Sequence, residues 1–326
     1  MSDTAFAHRY LDEEFLTALD DLARSASGNW WRDVLLRPDV VIAVRRNSIN
    51  VYNHGASIFK IDWNGRTILL STHAKYLVRQ EQQYIPLTES GFEITTDRLF
   101  WRTYEGPKTL DSMIKAAKTL AGWEKTALHP MLISDPRVID AEIALVRPTE
   151  AEKEEEEDEK ILAPPATRRQ DRLDAAVVRS STEGPAIAFY EAKHFSNGDL
   201  RALGDGPPAV LAQITAYEKA LSTYAPSLAA GYVNVAKALV KLSTMRQHVT
   251  GDGLNGQLDP LVLSIAESSS PPIIDCKPRL LILGFDKAQR DDRGWQAHLA
   301  KLTSAKELGP RRVQAVGRAN SKTRFS

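Results

Sequence analysis

The segment LDAAVVRSSTEGPAIAFYEAKH, residues 173–194, contains two apolar runs joined by a stretch of turn-forming residues. The runs are Leu173–Val178 and Ala186–Tyr190, and the connection between them is Ser180–Pro185. Apolar runs of this length on either side of Ser, Gly and Pro predict a β-hairpin. The segment therefore predicts two antiparallel strands.

Three charged residues lie within or next to these runs: Asp174 on the first strand, and Glu191 and Lys193 on the second. Because side chains alternate between two faces along a strand, Glu191 and Lys193 share the face of Ile187 and Phe189. Two carboxylates at close range repel each other unless a cation lies between them, and their oxygens suit Mg²⁺ or Mn²⁺. The alternative is a set of solvated surface charges, but charges on a buried strand face need partners. The pattern favours a metal site.

The same residues, with Asp174 one hairpin before Glu191-Ala192-Lys193, resemble the D…(D/E)xK signature of the PD-(D/E)XK nuclease superfamily. The segment Gln213-Ile214-Thr215-Ala216-Tyr217 resembles the QxxxY motif that the RecB-like branch carries on the helix after the ExK strand. Glu142 resembles the glutamate on the first core helix of the superfamily. The motifs occur in the superfamily's order over about residues 136–221, although the literal Pro-Asp of the family name is absent.

The resemblance implies a role for each of these residues in the hydrolysis of a phosphodiester bond. Asp174, Glu191 and the backbone carbonyl of Ala192 would bind Mg²⁺ or Mn²⁺. Glu142 would contribute through a water molecule or a second ion. Lys193 would orient the attacking water or offset charge on the phosphate.

Gln213 and Tyr217 lie four residues apart, and therefore on one face of their helix. The resemblance implies that they brace the site and approach the scissile strand. The implied function is that of a metal-dependent nuclease, with DNA favoured over RNA, acting in DNA repair or in antiviral defence against foreign DNA. Endonuclease and exonuclease activity both stay open. Two other classes of protein also stay open: an inactive nucleic-acid-binding or scaffolding protein that retains the nuclease fold, and a protein-interaction module in which these charges form salt bridges.

We expect two domains. Residues 1–128 would form an N-terminal β-rich domain with flanking helices, of unknown function, through which a protein partner or a second copy of the chain binds. Residues 129–326 would form the α/β nuclease domain, a restriction-endonuclease-like core with a mixed central sheet flanked by helices. This domain contains an acidic insertion at 147–169 and ends in a basic tail, Gly309–Ser326.

Apolar periodicity and turn signals predict the individual elements. Asp135 followed by Pro136 has the pattern of a helix N-cap with proline at the first helical position, so Asp135–Val146 is predicted as the helix that carries Glu142. The other predicted strands are Val40–Val44, Ile49–Tyr52, Ser57–Trp63, Arg66–Ser71 and Arg279–Phe285. The other predicted helices are Tyr10–Ser25, Thr109–Trp123, Ala209–Thr223, Leu228–His248 and Asp292–Thr303.

The composition excludes several classes of protein. A single cysteine, Cys276, excludes an intramolecular disulfide and a cysteine-based zinc site, and it favours a reducing, cytoplasmic setting. We expect neither a signal peptide nor a membrane-spanning segment, because no suitable apolar run is present. Residues 150–160 carry eight acids and two lysines, a net charge of about −6, so the rest of this neutral chain is near +6. That asymmetry permits binding to nucleic acid.

Overall fold

The computed structural model describes residues 9–77, 87–88, 91–92, 101–145, 171–202, 204, 206–251, 258–268 and 270–326, so the predicted acidic insertion at 147–169 lies outside the described residues. The helices are α1 (Glu13–Arg24), α2 (Trp30–Leu36), α3 (Pro107–Leu120), α4 (Trp123–Ser134), α5 (Val210–Thr250), α6 (Pro260–Glu267), α7 (Lys287–Asp291) and α8 (Arg293–Ser304). The strands are β1 (Val41–Val44), β2 (Ser48–Asn53), β3 (Ala56–Trp63), β4 (Ile68–Ser71), β5 (Leu87–Thr88), β6 (Gly91–Phe92), β7 (Val138–Leu145), β8 (Asp171–Ser181), β9 (Gly184–His194), β10 (Ile273–Ile274), β11 (Arg279–Leu283) and β12 (Val313–Val316). In the described ranges, no helix combines the length and the apolar character needed to cross a membrane.

The N-terminal sheet is antiparallel, with the strand order β1-β2-β3-β4. All four strands were predicted from the sequence, and they occur at the predicted places. Helix α1 buries its apolar side, which includes Phe15 and Leu19. The turn between β2 and β3 contains His54 and Gly55, both with left-handed backbone, at φ 49° and 74°. The turn lies against Lys125 and His129 of α4.

The second sheet has the order β12-β11-β9-β8-β7, and the short strand β10 also pairs with β9. Strands β7, β8 and β9 are mutually antiparallel, whereas β11 runs parallel to both β9 and β12. The predicted hairpin at residues 173–194 is confirmed as β8 and β9. A mixed sheet flanked by helices confirms the α/β class.

Helices cover both faces of the mixed sheet. On one face, α5 and the N-terminal helices share a core with Ile143 and Phe189. On the other face, α4 packs Leu128 and Met131 against residues that include Tyr190. Helix α4 crosses the predicted boundary between residues 128 and 129, and apolar residues from both sides of that boundary share one core. The division into two domains stays a prediction.

The predicted helix Asp135–Val146 is wrong, because most of this segment is the strand β7. Nearly all of its side chains are buried, on both faces of the sheet, and such a strand has no polar alternation to identify it. Its apolar residues Ile139 and Ile143 are four apart, which is also the spacing of a helix. Asp135 accepts hydrogen bonds from Arg137 and from the backbone N–H of Phe325 rather than capping a helix.

Two further predictions differ from the structure near the C-terminus. The segments predicted as two helices, with a break around Pro226, form the single 41-residue helix α5, which continues through that proline. The predicted basic tail instead contributes β12 to the sheet edge. The side chain of Phe325 is buried and packs edge-on against Tyr190, with 4.7 Å between ring centroids. Residues after Gly309 are therefore part of the folded unit.

Candidate active site

Three acidic residues form a row across neighbouring strands. The β8–β9 ladder ends at the pair Ala175–Tyr190, and the same register places Asp174 opposite Glu191. The register of β7 with β8 likewise places Glu142 opposite Asp174. Residues in opposed positions of antiparallel strands have Cβ atoms about 5 Å apart. All three are buried, with exposed fractions of 7% for Glu142, 2% for Asp174 and 3% for Glu191.

The sheet is irregular where this row crosses it. Beyond the last β8–β9 pair, the backbone N–H of Ala192 donates to Oδ2 of Asp174 at 2.6 Å. Glu142 has a φ of 55°, a left-handed conformation that costs a residue other than glycine about 1–3 kcal/mol. Strain of this kind persists only where the surroundings hold the residue in place. It indicates that the position of the Glu142 carboxylate is determined by its contacts.

Two lysines supply the positive charge that these carboxylates need. Nζ of Lys193 lies 2.5 Å from Oε1 of Glu191 on the same strand face. Lys125, in the first turn of α4, places its Nζ 2.7 Å from Oε1 of Glu142. The same ammonium donates a hydrogen bond to Oδ1 of Asp174. Lys125 thus joins two neighbouring strands through their carboxylates.

Burial controls the ionisation of the acidic groups. It raises the pKa of Glu191 to about 8, and nearby Asp174 adds to the rise whereas Lys193 opposes it. It also raises the pKa of Glu124, on α4, to about 7, again with Asp174 adding to the rise. Burial likewise raises the pKa of Glu142. Each of these groups resists losing its proton because the site already holds too much negative charge in too little water.

The pKa values of the two lysines are also raised, which favours their charged form. Burial by itself would lower the pKa of Lys125, but the carboxylates of Asp174 and Glu142 outweigh it and the pKa is raised. At Lys193, too, burial alone would lower the pKa, but the carboxylate of Glu191 outweighs it and the pKa is raised. Both lysines therefore stay charged. With all groups ionised, four carboxylates face two ammonium groups, which leaves two negative charges in excess.

One oxygen of the cluster has no partner. Oε2 of Glu191 is buried and accepts no hydrogen bond from any residue that the structure describes. Buried carboxylate oxygens nearly always have a partner, so this atom indicates a place for a water molecule or a cation. Full ionisation of the cluster would leave two negative charges beside this oxygen, which fits a divalent cation that displaces the protons retained by Glu191 and Glu124. Asp174 and Glu191 would hold that cation, with the carbonyl of Ala192 as the third donor that the resemblance implies.

The protein donors at this position are few. Within the described part of the chain, no three His, Cys, Asp or Glu side chains form a group suited to hold a metal ion. A metal bound here would have two carboxylates and one carbonyl from the protein, with water in its other positions. Mg²⁺ accepts that arrangement, because it usually keeps several waters and uses only one or two carboxylates.

Gln213 and Tyr217, on α5, lie behind this row. Nε2 of Gln213 donates to the hydroxyl of Tyr217 at 2.7 Å, and that hydroxyl donates to the backbone carbonyl of Arg172 at 3.1 Å. Tyr217 is 1% exposed. The pair therefore holds the backbone of β8 two residues before Asp174. Its predicted role in bracing the site has a direct geometric basis.

The structure thus brings together the predicted residues Glu142, Asp174, Glu191, Ala192 and Lys193. Glu142, however, comes from a strand and not from a helix, since the helix that reaches the site is α4.

Sequence reasoning missed the residues that α4 contributes, Glu124 and Lys125. A local signal exists, because Leu128 and Leu132 have helical spacing after Gly122. The distance of 49 residues between Lys125 and Asp174 gives no hint that they meet.

No protein-family model matches the chain, and neither the curated proteins nor the solved structures contain a significant match. The candidate site rests on its geometry and on the motifs in the sequence.

Proposed function

We propose that this protein is a metal-dependent nuclease that hydrolyses phosphodiester bonds, with DNA preferred over RNA. The observation that carries the proposal is the buried row in which Asp174 lies opposite Glu191, with the Lys193 ammonium beside it and one oxygen of Glu191 without a partner. A buried excess of negative charge destabilises a protein that gains nothing from it. Such a cluster is more simply explained as a site that uses a cation.

Each residue has a definite task in this proposal. Asp174, Glu191 and the carbonyl of Ala192 would hold Mg²⁺ or Mn²⁺, which when bound polarises the phosphate and lowers the pKa of a bound water. Lys193 lies within reach of the same space and would orient that water or offset the charge that develops on the phosphate. Glu142 would accept a hydrogen bond from a water molecule.

Positioning is the task of the residues behind this group. Tyr217 and Gln213 keep β8, and with it Asp174, at a fixed distance from α5. Since small displacements of reacting groups lower the rate strongly, this bracing contributes to the rate without contact with the substrate.

An exposed aromatic side chain favours nucleic acid as the substrate. Trp123, immediately before Glu124 on α4, is 79% exposed. Its ring centroid lies 6.0 Å from that of His194, the residue after Lys193. An exposed tryptophan provides a surface on which a nucleobase stacks, and such stacking contributes about 1–3 kcal/mol per base. The motif resemblance to the RecB-like branch is what favours DNA.

A second candidate function is that of an inactive nucleic-acid-binding or scaffolding protein. The observation that favours it is the ion pairing itself, since Glu191 has Lys193 as a partner and both Asp174 and Glu142 have Lys125. In that case the cluster would be a salt-bridge network that stabilises the junction of three strands. The two candidates differ in whether the protein turns over substrate.

A cleavage assay tests the proposal. Linear duplex, circular and single-stranded DNA, with RNA as a comparison, are incubated with the protein in Mg²⁺, in Mn²⁺ and in chelator. We expect metal-dependent cleavage of DNA by the natural chain and none by Asp174→Asn. Glu183→Gln is the matched control, because Glu183 lies at the exposed turn of the same hairpin. Cleavage that persists in chelator, or equally in Asp174→Asn, contradicts the proposal, and binding without any cleavage supports the scaffold.

A further inference from the structure

Both carboxylate oxygens of Asp174 are already engaged by the protein. Oδ2 accepts the backbone N–H of Ala192 at 2.6 Å, and Oδ1 accepts the ammonium of Lys125. The backbone N–H is fixed in its strand, whereas a lysine has four rotatable side-chain bonds. A carboxylate oxygen can accept a hydrogen bond and bind a metal at once, but a divalent cation at Oδ1 would lie close to the Lys125 ammonium. The repulsion between the two cations then favours withdrawal of the lysine.

We propose that Lys125 is an internal counter-cation that competes with the divalent metal for Asp174, and that the turn at His54 and Gly55 holds it in that position. The inference rests on the proposed function, and it adds regulation of the same site by the N-terminal sheet. Lys125 is thus a positioning residue whose displacement accompanies metal binding. Its ammonium stabilises the metal-free protein, since it neutralises buried carboxylates that would otherwise repel each other.

The contact between the turn and Lys125 is close. A Cβ atom placed on Gly55 would lie 2.8 Å from Cδ and 2.9 Å from Cγ of Lys125, and 3.1 Å from Oε1 of Glu142. A real Cβ atom essentially never lies within 3.0 Å of another heavy atom, so any residue other than glycine here would require the lysine stem to shift. The φ of 74° at Gly55 also requires glycine. The turn therefore packs directly on the aliphatic part of Lys125.

The loop at His54 and Gly55 also contacts α4 at His129, one helical turn after Lys125. The backbone N–H of His54 donates to Nδ1 of His129 at 3.2 Å, and the two imidazole rings stack with 4.0 Å between centroids. Lys125 and His129 are four residues apart, so they lie on one side of α4. Movement of the N-terminal sheet would release both contacts together, which allows the ammonium to leave Asp174.

Metal titration of purified full-length protein tests the competition. Binding of Mn²⁺ is measured by calorimetry for the natural chain and for Lys125→Met, which keeps the bulk of the stem and removes the charge. We expect Lys125→Met to bind Mn²⁺ more tightly by about tenfold or more, because the competing cation is gone. Lys60→Met is the matched control, since Lys60 is an exposed lysine on β3; its affinity should equal that of the natural chain.

A pair of glycine variants tests the turn independently and remains informative if Lys125→Met does not fold. Gly55→Ala forces the Lys125 stem to move, whereas Gly65→Ala has a similar φ of 85° with no atom within 4 Å of the new Cβ. We expect Gly55→Ala to bind Mn²⁺ more tightly than the natural chain does. Gly65→Ala should bind Mn²⁺ with the affinity of the natural chain.

The outcomes separate this inference from the proposed function. If neither the natural chain nor Lys125→Met binds Mn²⁺, the metal site itself is wrong. If the natural chain and Lys125→Met bind Mn²⁺ equally, and Asp174→Asn abolishes binding, the metal site stands and the counter-cation is wrong. Weaker binding by Lys125→Met also contradicts the inference, because it would make Lys125 a supporting residue of the metal.

Discussion

Two buried acidic clusters lie close together on β7, and they differ in one respect. Around Asp140, both carboxylate oxygens are satisfied: Oδ1 by Arg45 at 2.6 Å, and Oδ2 by Arg9 at 3.0 Å with Tyr232 at 3.3 Å. Around Asp174, by contrast, Oε2 of the neighbouring Glu191 has no partner among the described residues. Both clusters are buried. Only one of them leaves an acceptor free.

The difference distinguishes a structural ionic cluster from the candidate site. A fully paired ionic cluster joins parts of the chain, here the segment before α1, the strands β1 and β7, and α5. A cluster with an open acceptor and an excess of negative charge retains a capacity to bind a cation. The Asp174 cluster also carries the strained backbone of Glu142. Strain and an unpaired oxygen in the same place are typical of functional sites.

Changes at the open cluster should have the largest effect on activity. Asp174→Asn and Lys193→Ala are each expected to abolish cleavage, a loss on the order of 10⁴-fold or about 5 kcal/mol in the activation barrier. The effect of Asp174→Asn on folding should be small, since it also relieves repulsion with Glu191. Cleavage rates and thermal unfolding of the same preparations measure both effects. Retained cleavage in a folded Asp174→Asn protein would refute the assignment.

The paired cluster should behave in the opposite way. Asp140→Ala leaves the guanidinium groups of Arg9 and Arg45 beside an emptied position, and breaking a buried ion pair costs about 3–5 kcal/mol. We expect the free energy of unfolding to fall by about that amount, with the cleavage rate per folded molecule unchanged. Denaturant unfolding and rates measured well below the midpoint provide the comparison. A large loss of rate without loss of stability would show that the two clusters are not distinct.

The contact between the β2–β3 turn and α4 should depend on pH. Burial lowers the pKa of His129 to about 4, and the neighbouring His54 ring adds to the fall. The neutral ring makes the contact, since Nδ1 accepts from the backbone N–H of His54 and Nε2 lies 3.1 Å from the carbonyl of Asp39. A depressed pKa stabilises the fold above the unfolded pKa of about 6.5, and that contribution is lost as pH falls towards 4. We expect up to about 3 kcal/mol to disappear over this window.

The control for this pH dependence is His129→Gln, which cannot titrate. The difference in unfolding free energy between the natural chain and the variant should shrink as the pH is lowered from 7 to 4. A difference that stays constant with pH would mean that the ring is not held neutral at the contact.

The smallest effect is expected behind the site. Tyr217→Phe removes the hydrogen bonds to Gln213 and to the carbonyl of Arg172, which should cost about 1 kcal/mol of stability. Cleavage should fall by less than about tenfold, because β8 keeps its other contacts. If Tyr217→Phe lost activity as completely as Asp174→Asn, the hydroxyl would have to touch the substrate rather than brace the strand.

The regular parts of this molecule could be predicted from the sequence. The hairpin at residues 173–194 and the N-terminal strands follow local alternation and turn residues, which depend on neighbours in the chain. From the hairpin alone, Asp174 and Glu191 could be placed together. Helix α5 shows the limit of local signals, because the two helices predicted at Ala209–Thr223 and Leu228–His248 are one helix that continues through Pro226.

The irregular parts could not be predicted. The left-handed backbone of Glu142 is stabilised by contacts with residues far away in the sequence, and local patterning assigned it to a helix. The approach of Lys125 to Asp174, and the packing of Gly55 on Lys125, are also long-range contacts. A single sequence does not encode such contacts in any local pattern. They are, however, the contacts on which the competition for Asp174 depends.

Anomalous diffraction from crystals soaked in Mn²⁺ tests the central claim most directly, because it locates the metal and Lys125 in one experiment. We predict one strong peak within about 2.5 Å of carboxylate oxygens of both Asp174 and Glu191 and of the carbonyl of Ala192, with the Lys125 ammonium withdrawn from Asp174. The absence of a peak there at millimolar Mn²⁺, with Lys125 still bound to Asp174, would contradict the account.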